Sequence, residues 1–322
     1  VDYGHGLFAS RYEAEESTFL HEMANSNGYL ITAMDWRGMS LYDLPIIVKT
    51  LLSDPSFFQV IRDNLIQGYS NKIALQHFAK HSLLDKDWLK FETKEIYTQP
   101  TTYLQPKMIF YGISQGGILG AGYSALLGST SLLDQAILGA PGTPFALVLT
   151  RSHDFIFYNY LLRLNLYNNR HVRIILSFFQ MGWDSVGASG HLSPPLTDEN
   201  IPRVLIQAGF GDSEVTTISA AVLARAYKAS LLPGHPIGVF GLSVEQAAND
   251  TFSGPKSAFT EILYEDDRQN LPKTNVPPAK STPVHQCIRH DARLQQQIVE
   301  FINNGRIIDP CADNRCKFKK AC

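Results

Sequence analysis

The residues of this chain best suited to chemistry are a serine, an aspartate and a histidine, far apart in sequence. In "KMIFYGISQGG" a β-rich run meets Gly112-Ile113-Ser114-Gln115-Gly116, and a helix-like run, "GILGAGYSALLG", follows. A serine in G-x-S-x-G between strand and helix is the setting of a nucleophile elbow. The turn forces strained backbone angles on Ser114, so the positions two before and two after it must be small. The hydroxyl then projects above the sheet, and the helix N-terminus sits beneath the negative charge that develops on attack at a carbonyl. The bland reading of the same letters is a tight turn whose serine caps a helix.

A serine nucleophile needs a base and a group that orients the base. In this arrangement the chain order is serine, acid, histidine, with the acid just past a later strand. "RVLIQAGFGDSEVT" places Asp212 beyond a strand end in a Gly-flanked turn, with Glu214 as the nearby substitute. Of the ten histidines, His285 and His290 follow Asp212 on the approach to the last helix, in "STPVHQCIRHDARLQQQIVEFI". His285 is the better base, because it ends a Pro-rich loop that Cys287 could pin covalently; His290 reads as a first-turn helix residue. The oxyanion requires two backbone N–H groups, one from the residue after the nucleophile, Gln115, and one from an earlier loop. "YGHGLFAS" supplies the second at Leu7, after His5-Gly6.

Positioning these groups requires a layered frame. "GYLITAMDW" (28–36), "PKMIFYGI" (106–113), "QAILGAP" (135–141) and "RVLIQAG" (203–209) are short apolar runs that read as buried parallel strands. A last strand falls within 237–265, in "IGVFGLS" or "FTEILYED". Helical spacing occupies 57–82, 218–230 and 292–305, the last closing on a Gly C-cap. This alternation predicts an α/β fold, a mostly parallel sheet covered by helices on both faces. Residues 145–200 interrupt it with an aromatic-rich stretch suited to a helical insertion, and 264–284 is a polar, Pro-rich loop.

Composition narrows the function classes. The chain has 322 residues, 44% hydrophobic and 18% charged, with a net charge of −2. There is no basic surplus for phosphate neutralisation, so no nucleic-acid partner is expected. No apolar run reaches the ~18–20 residues of a membrane helix, so no membrane span is expected. The chain opens on Val1 rather than Met, which suggests a removed leader or a fragment. Cys287, Cys311, Cys316 and Cys322 crowd the C-terminus. Their even number suggests two disulfides, in any of three connectivities, and hence a secreted or cell-envelope location. A zinc knuckle is disfavoured by C-x4-C-x5-C, which lacks a C-x2-C pair. Asn249-Asp250-Thr251 is a sequon. "GAGYSA" (120–125) matches G-x-G-x-x-A, but it lies inside the helix after the elbow and lacks the later acidic residue of a dinucleotide site. "HEMAN" (21–25) lacks the second zinc ligand of H-E-x-x-H. No cofactor or metal is expected.

Taken together, "HGL", "DWRGMS", "GISQGG", "GFGDSEV" and "VHQC" resemble the α/β-hydrolase superfamily over essentially the whole chain. The combination of "HGL" and "SQG" is similar to that of secreted bacterial lipases and esterases. The resemblance implies catalytic Ser114, Asp212 and His285, and an oxyanion hole from Leu7 and Gln115. It implies a core of 1–144 and 201–305, a cap over 145–200, a cysteine-containing tail at 306–322, and a sheet lacking its first two strands. The expected activity is a serine carboxylic-ester hydrolase acting on a small-molecule or lipid-like ester through an acyl-enzyme. The alternatives are a serine peptidase or amidase, with "YEDD" (264–267) as an anchor for a substrate amine, and a non-catalytic binding module.

Overall fold

The computed structural model of the protein describes residues 1–84, 86, 90–91, 94–95, 106–128, 130–192, 202–247, 254–264, 280–311 and 317–318. Its strands are β1 (Asp2–Gly4), β2 (Thr32–Ala33), β3 (Lys90–Phe91), β4 (Lys94–Glu95), β5 (Ile109–Ile113), β6 (Gln135–Gly139), β7 (Arg203–Gly209), β8 (Ser230–Leu231), β9 (Ala258–Tyr264) and β10 (Lys317–Phe318). Its helices are α1 (Glu13–Glu16), α2 (Thr18–Asn27), α3 (Leu44–Ser53), α4 (Phe58–His81), α5 (Gln115–Leu127), α6 (Phe145–Leu149), α7 (Ile156–Asn165), α8 (Asn169–Trp183), α9 (Ala188–His191), α10 (Thr217–Ala226), α11 (Val284–His290) and α12 (Ala292–Asn304).

Eight strands form one sheet in the order β10-β9-β7-β6-β5-β1-β2, with β8 beside β9, and every pairing in it is parallel. The pair β3–β4 is a separate antiparallel hairpin. Successive residues of β5 point to opposite faces, as a pleated strand requires. Phe110 enters a core with Trp36, Leu119 and Leu138, while Tyr111 enters a second core with Tyr3, Leu205 and Phe301. With both faces covered, the central strands are mostly apolar, and a buried polar exception such as Gln207 is paired, its Nε2 donating to Leu294 O and Gln297 Oε1. Helix α12 shows the matching helical logic: Leu294, Ile298, Phe301 and Ile302 share its buried face. Asp291 caps its start by accepting from Arg293 N–H, and Gly305 ends it at φ 64°.

The strands read at 203–209, 135–141 and 106–113 appear as β7, β6 and β5, and the strand expected within 237–265 is "AFTEILY" in β9, with the two-residue β10, not foreseen from sequence, beyond it. The strand read over 28–36 is different: only Thr32 and Ala33 pair, and both are half-buried. The reason is position. Strand β2 sits at the end of the sheet and its one neighbour, β1, is three residues long, so the rest of that apolar run has no ladder to join. The motif "GAGYSA" lies within α5, where a Cβ on Gly120 would come within 2.0 Å of the Phe110 ring and one on Gly122 within 2.2 Å of Val186 O. These glycines let the helix approach the sheet and the insertion. The sequon at Asn249, most of the Pro-rich loop at 264–284, Cys316 and Cys322 lie outside the described residues.

Candidate active site

Ser114 stands between β5 and α5 with φ 59° and ψ −126°. A non-glycine residue held in that region costs on the order of 1–3 kcal/mol and persists only where its surroundings impose it. Two hydrogen bonds and the close packing of its flanking glycines impose it here. Ser114 N–H donates to Gly139 O at 2.9 Å, and Ile118 N–H donates to Ser114 O at 2.9 Å. A Cβ on Gly112 would meet Gly116 O at 2.4 Å, and one on Gly116 would meet Gly4 O at 2.0 Å. The two flanking glycines are therefore dictated by backbone approach. The side chain of Ser114 makes no cap bond to α5, so the bland reading of a capping serine does not hold.

The same close approach brings the Gly4–Leu7 loop against the start of α5. His5 fixes that loop. Trp36 N–H donates to His5 Nε2 at 2.8 Å, so Nε2 is the acceptor nitrogen and Nδ1 carries the proton it gives to Gly6 O, also at 2.8 Å. Burial, the largest influence, pushes the His5 pKa down and keeps the ring neutral. Glu13 holds the other side of the loop: its carboxylate accepts from Gly6 N–H at 2.9 Å, Tyr3 O–H at 2.6 Å and Arg289 Nη1 at 2.7 Å. Among the described residues no internal acceptor takes the N–H of Leu7 or of Gln115.

Hydrogen bonds tie the strand ends together. Ala140 N–H donates to Gln207 O at 2.7 Å, and Phe210 N–H to Ile262 O at 2.7 Å. Ser114, after β5, and Asp212, after β7, thus share one sheet edge with β6 between them. Two strand spacings make that roughly 10 Å. Asp212 is buried in an Asx-turn: Oδ1 accepts from Glu214 N–H at 2.8 Å and Val215 N–H at 3.0 Å. Its other oxygen, Oδ2, lies 2.7 Å from His285 Nδ1. The segment leading to His285 is docked on the same turn, with Thr282 N–H on Ser213 Oγ at 2.9 Å and Thr282 Oγ1 on Gly211 O at 3.0 Å. Helix α11 closes on the strand ends, since Val284 and Cys287 pack in one cluster with Ile113 and Ala140.

The expectation that His285 ends a loop needs correction: it is the second residue of α11, started by Pro283, and His290 is the last residue of that helix rather than a first-turn residue of the next. His285 is buried beside Asp212, and His290 is exposed. Burial, the largest influence, pulls the His285 pKa down; Asp212 and Glu214 outweigh it, and the net shift is upward. Glu214 Oε2 is 3.4 Å from His285 Nε2. Burial raises the carboxyl pKa of Glu214, which His285 only partly offsets, and it raises that of Asp154 in the same way. Glu13, Arg289 and Asp154 were missed by sequence reasoning. Arg289 carried a signal, because it lies four residues after His285 on one helix; Glu13 and Asp154 carried none.

Beneath α7 and α8 is an apolar cleft of about 50 Å³, lined among others by Phe8, Phe58, Phe145, Tyr158, Phe179 and Trp183. Phe145 stacks on Trp183, and Phe58 on Phe179, each with ring centroids 4.2 Å apart. Phe8, next to Leu7, brings this cleft to the Gly4–Leu7 loop. A larger cleft of about 350 Å³ is lined by Glu13, Tyr3, Tyr111 and Arg289, on the opposite side of the sheet. Neither Cys287 nor Cys311 is a free thiol. Among the described residues no group of three His, Cys, Asp or Glu side chains is placed to hold a metal ion.

No family model matches the chain, and no curated protein matches it in sequence. Among solved structures it is similar to an acylaminoacyl peptidase of Pyrococcus horikoshii, at 13% identity and a TM-score of 0.46 over 95% of this chain and 37% of that one. It is similar to acetyl xylan esterase 1 of Thermoanaerobacterium sp., at 13% identity and a TM-score of 0.44 over 81% of this chain and 68% of that one. An esterase of Pyrococcus furiosus shares 11% identity, with a TM-score of 0.45 over 95% of this chain and 80% of that one. The chain thus spans little more than a third of the peptidase. The fold is legible without these neighbours: a parallel sheet with helices on both faces, a strained serine between β5 and α5, and an aspartate–histidine pair carried by the turn after β7 and by α11 give this chain the α/β-hydrolase fold.

Proposed function

We propose that the protein is a serine hydrolase that cleaves carboxylic esters through an acyl-enzyme. The observation that carries this reading is the buried 2.7 Å pair of His285 and Asp212 on the sheet edge that also holds the strained Ser114. Ser114 Oγ attacks the acyl carbon while His285 Nε2 takes its proton and later gives it to the leaving alcohol. Asp212 holds Nδ1–H and stabilises the imidazolium. The N–H groups of Leu7 and Gln115 receive the oxyanion, each contributing roughly 3 kcal/mol to lowering the barrier. Water then attacks the acyl carbon, with His285 again as base, and frees the acid. The aromatic cleft beneath α7 and α8 takes a short apolar or aromatic acyl group, with residues 145–200 as its cap.

A peptidase reading has one observation in its favour. Asp154 and Glu214 place two carboxyls beside His285, where a cationic substrate amine could be held. The anchor read from sequence, "YEDD", lies almost wholly outside the described residues. Turnover of p-nitrophenyl acyl esters against aminoacyl p-nitroanilides, each with a Ser114→Ala control, separates the readings. Ester turnover abolished by Ser114→Ala supports the proposal. Turnover that survives it removes Ser114 as nucleophile, and no turnover of either class leaves the fold as a binding module. Two disulfides among the four cysteines and a secreted or cell-envelope location belong to the same proposal. They rest on the cysteine count, and thiol titration with and without reductant tests them.

A further inference from the structure

Helices α7 and α8 each carry two apolar stripes, and only one is buried. On α8, Val172, Leu176 and Trp183 face the core, while Ile174, Phe178 and Met181 face solvent, Phe178 62% and Met181 73% exposed. On α7, Leu161 and Leu162 are buried and Ile156, Phe157, Tyr160 and Leu164 are exposed. The spacings 156/160/164 and 174/178/181 are helical, so the exposed residues form rows along each helix. Tyr167, between the helices, is 95% exposed. The rows continue onto neighbouring elements. Asn165 Nδ2 donates to Leu51 O at 2.8 Å, beside exposed Leu52, and Phe58, next in the chain to exposed Phe57, stacks on Phe179 of α8. Exposed apolar residues scattered singly need no explanation, but contiguous rows mark an interaction surface.

Along α7 and α8 themselves the charge has one sign. From 155 to 183 the chain holds Arg163, Arg170 and Arg173 and no aspartate or glutamate, in a protein of net charge −2. The nearest acids lie at the border of the two helices, each engaged with its own turn or a neighbouring side chain. Asp154 is exposed, within electrostatic reach of His285, and Asp184 accepts from Gln180 and Ser189. Asp43 binds Ser40, and Asp54 accepts from Ser56 N–H. Aromatic and aliphatic rows with guanidiniums among them match the boundary of an anionic bilayer, where apolar side chains enter below the headgroups and arginines meet phosphates. A second copy of the chain fits less well, because two-fold pairing of this face would bring its arginines toward each other. No helix among the described residues is long and apolar enough to cross a membrane.

We propose that the outer face of α7 and α8 seats the protein peripherally on anionic lipid bilayers. This does not depend on the catalytic reading, so the test measures binding separately from turnover. The full chain, its Ser114→Ala form, and the variants Phe157→Ser/Phe178→Ser and Arg170→Gln/Arg173→Gln are sedimented with phosphatidylcholine vesicles, with and without phosphatidylglycerol. The full chain and Ser114→Ala are expected to bind the phosphatidylglycerol vesicles equally. The phenylalanine variant loses about tenfold or more in partitioning, by the buried-methylene scale. The arginine variant loses about tenfold or more on anionic vesicles only, at roughly 1 kcal/mol per arginine. Both variants keep wild-type turnover of a soluble aryl ester, or a wild-type thermal midpoint if there is no turnover. Absence of wild-type binding at low salt, or equal binding by all four proteins, overturns the proposal. So does a wild-type dimer that the phenylalanine variant turns into a monomer on gel filtration without any vesicle binding.

Discussion

His285 Nδ1 and Asp212 Oδ2 lie 2.7 Å apart with both residues buried, and the pair sets a pH dependence. The His285 pKa is shifted above the ordinary histidine value of 6.5: burial opposes the charge, and Asp212 and Glu214 more than restore it. The base must be neutral to act, so kcat/KM is expected to rise with pH through a midpoint above 6.5. Stability runs the other way. The fold favours the charged ring, so the contribution of His285 is fully present below 6.5 and lost as pH rises through the folded-state value. Rate profiles and thermal melts across this window check both signs. A midpoint below the ordinary histidine value rejects the account.

The identity of the base is decided by two substitutions. His285→Ala is expected to reduce kcat by about 10⁴-fold or more, as removal of a triad member does. His290→Ala, at the exposed end of α11, is expected to stay within about twofold of wild type, as surface changes away from a site do. The reverse ranking excludes His285.

Two acids flank His285, and their roles separate by nitrogen. Asp212→Asn removes the partner of Nδ1 and is expected to cost roughly 10⁴ in kcat, the loss seen when the wrong tautomer is held. Glu214 faces Nε2 at 3.4 Å, the nitrogen that must serve Ser114. Glu214→Gln is expected to reduce kcat by less than about tenfold, since the orienting carboxylate stays in place. It also moves the acid limb of the rate profile to lower pH, because a carboxylate that raises the His285 pKa is gone. Equal losses in the two variants make Glu214 a second orienter.

Glu13 ties the Gly4–Leu7 loop to α11 through Gly6 N–H and Arg289, and under the proposed mechanism it is a positioning residue. Glu13→Gln is expected to lower kcat by about 10–100-fold with KM nearly unchanged, as loss of a supporting hydrogen bond does at other sites. Since Arg289 lowers the His285 pKa, Arg289→Gln should also move the rate midpoint upward. A change confined to the melting temperature assigns the pair a purely structural role.

Lys72 anchors β1, the strand that leads into the Gly4–Leu7 loop. Its Nζ lies 2.8 Å from Asp2 Oδ1 and over the Trp36 ring at 4.7 Å, and both charged side chains are buried. Lys72→Met leaves Asp2 buried and unpaired, a change that costs about 3–5 kcal/mol. Denaturant unfolding measures it, and the double variant with Asp2→Asn should recover most of the loss.

The sequence disclosed what local chemistry determines. The elbow was legible because Gly112 and Gly116 have no alternative once backbone carbonyls stand 2.4 and 2.0 Å from their absent side chains. The strand β7 was legible to the residue, because a strand buried on both faces is mostly apolar, and Val204, Leu205, Ile206 and Ala208 set that pattern around Arg203 and Gln207. The run at 28–36 misled, since its apolar letters record burial against helices and say nothing of whether a neighbouring strand exists to pair with. Glu13 and Asp154 were silent for a related reason: one acid among thirty has no signature until the fold brings it to a partner.

Glu13 and Arg289 are 276 positions apart and Asp212 and His285 are 73 apart, yet one helix, α11, carries both contacts. Contacts of such separation carry the largest loop-closure cost and form after local helices have gathered. Enzymatic competence is then a late event on the folding pathway. In a refolding experiment the far-ultraviolet helical signal should return ahead of activity, and the interval between them times the docking of the C-terminal segment onto a sheet that is otherwise assembled.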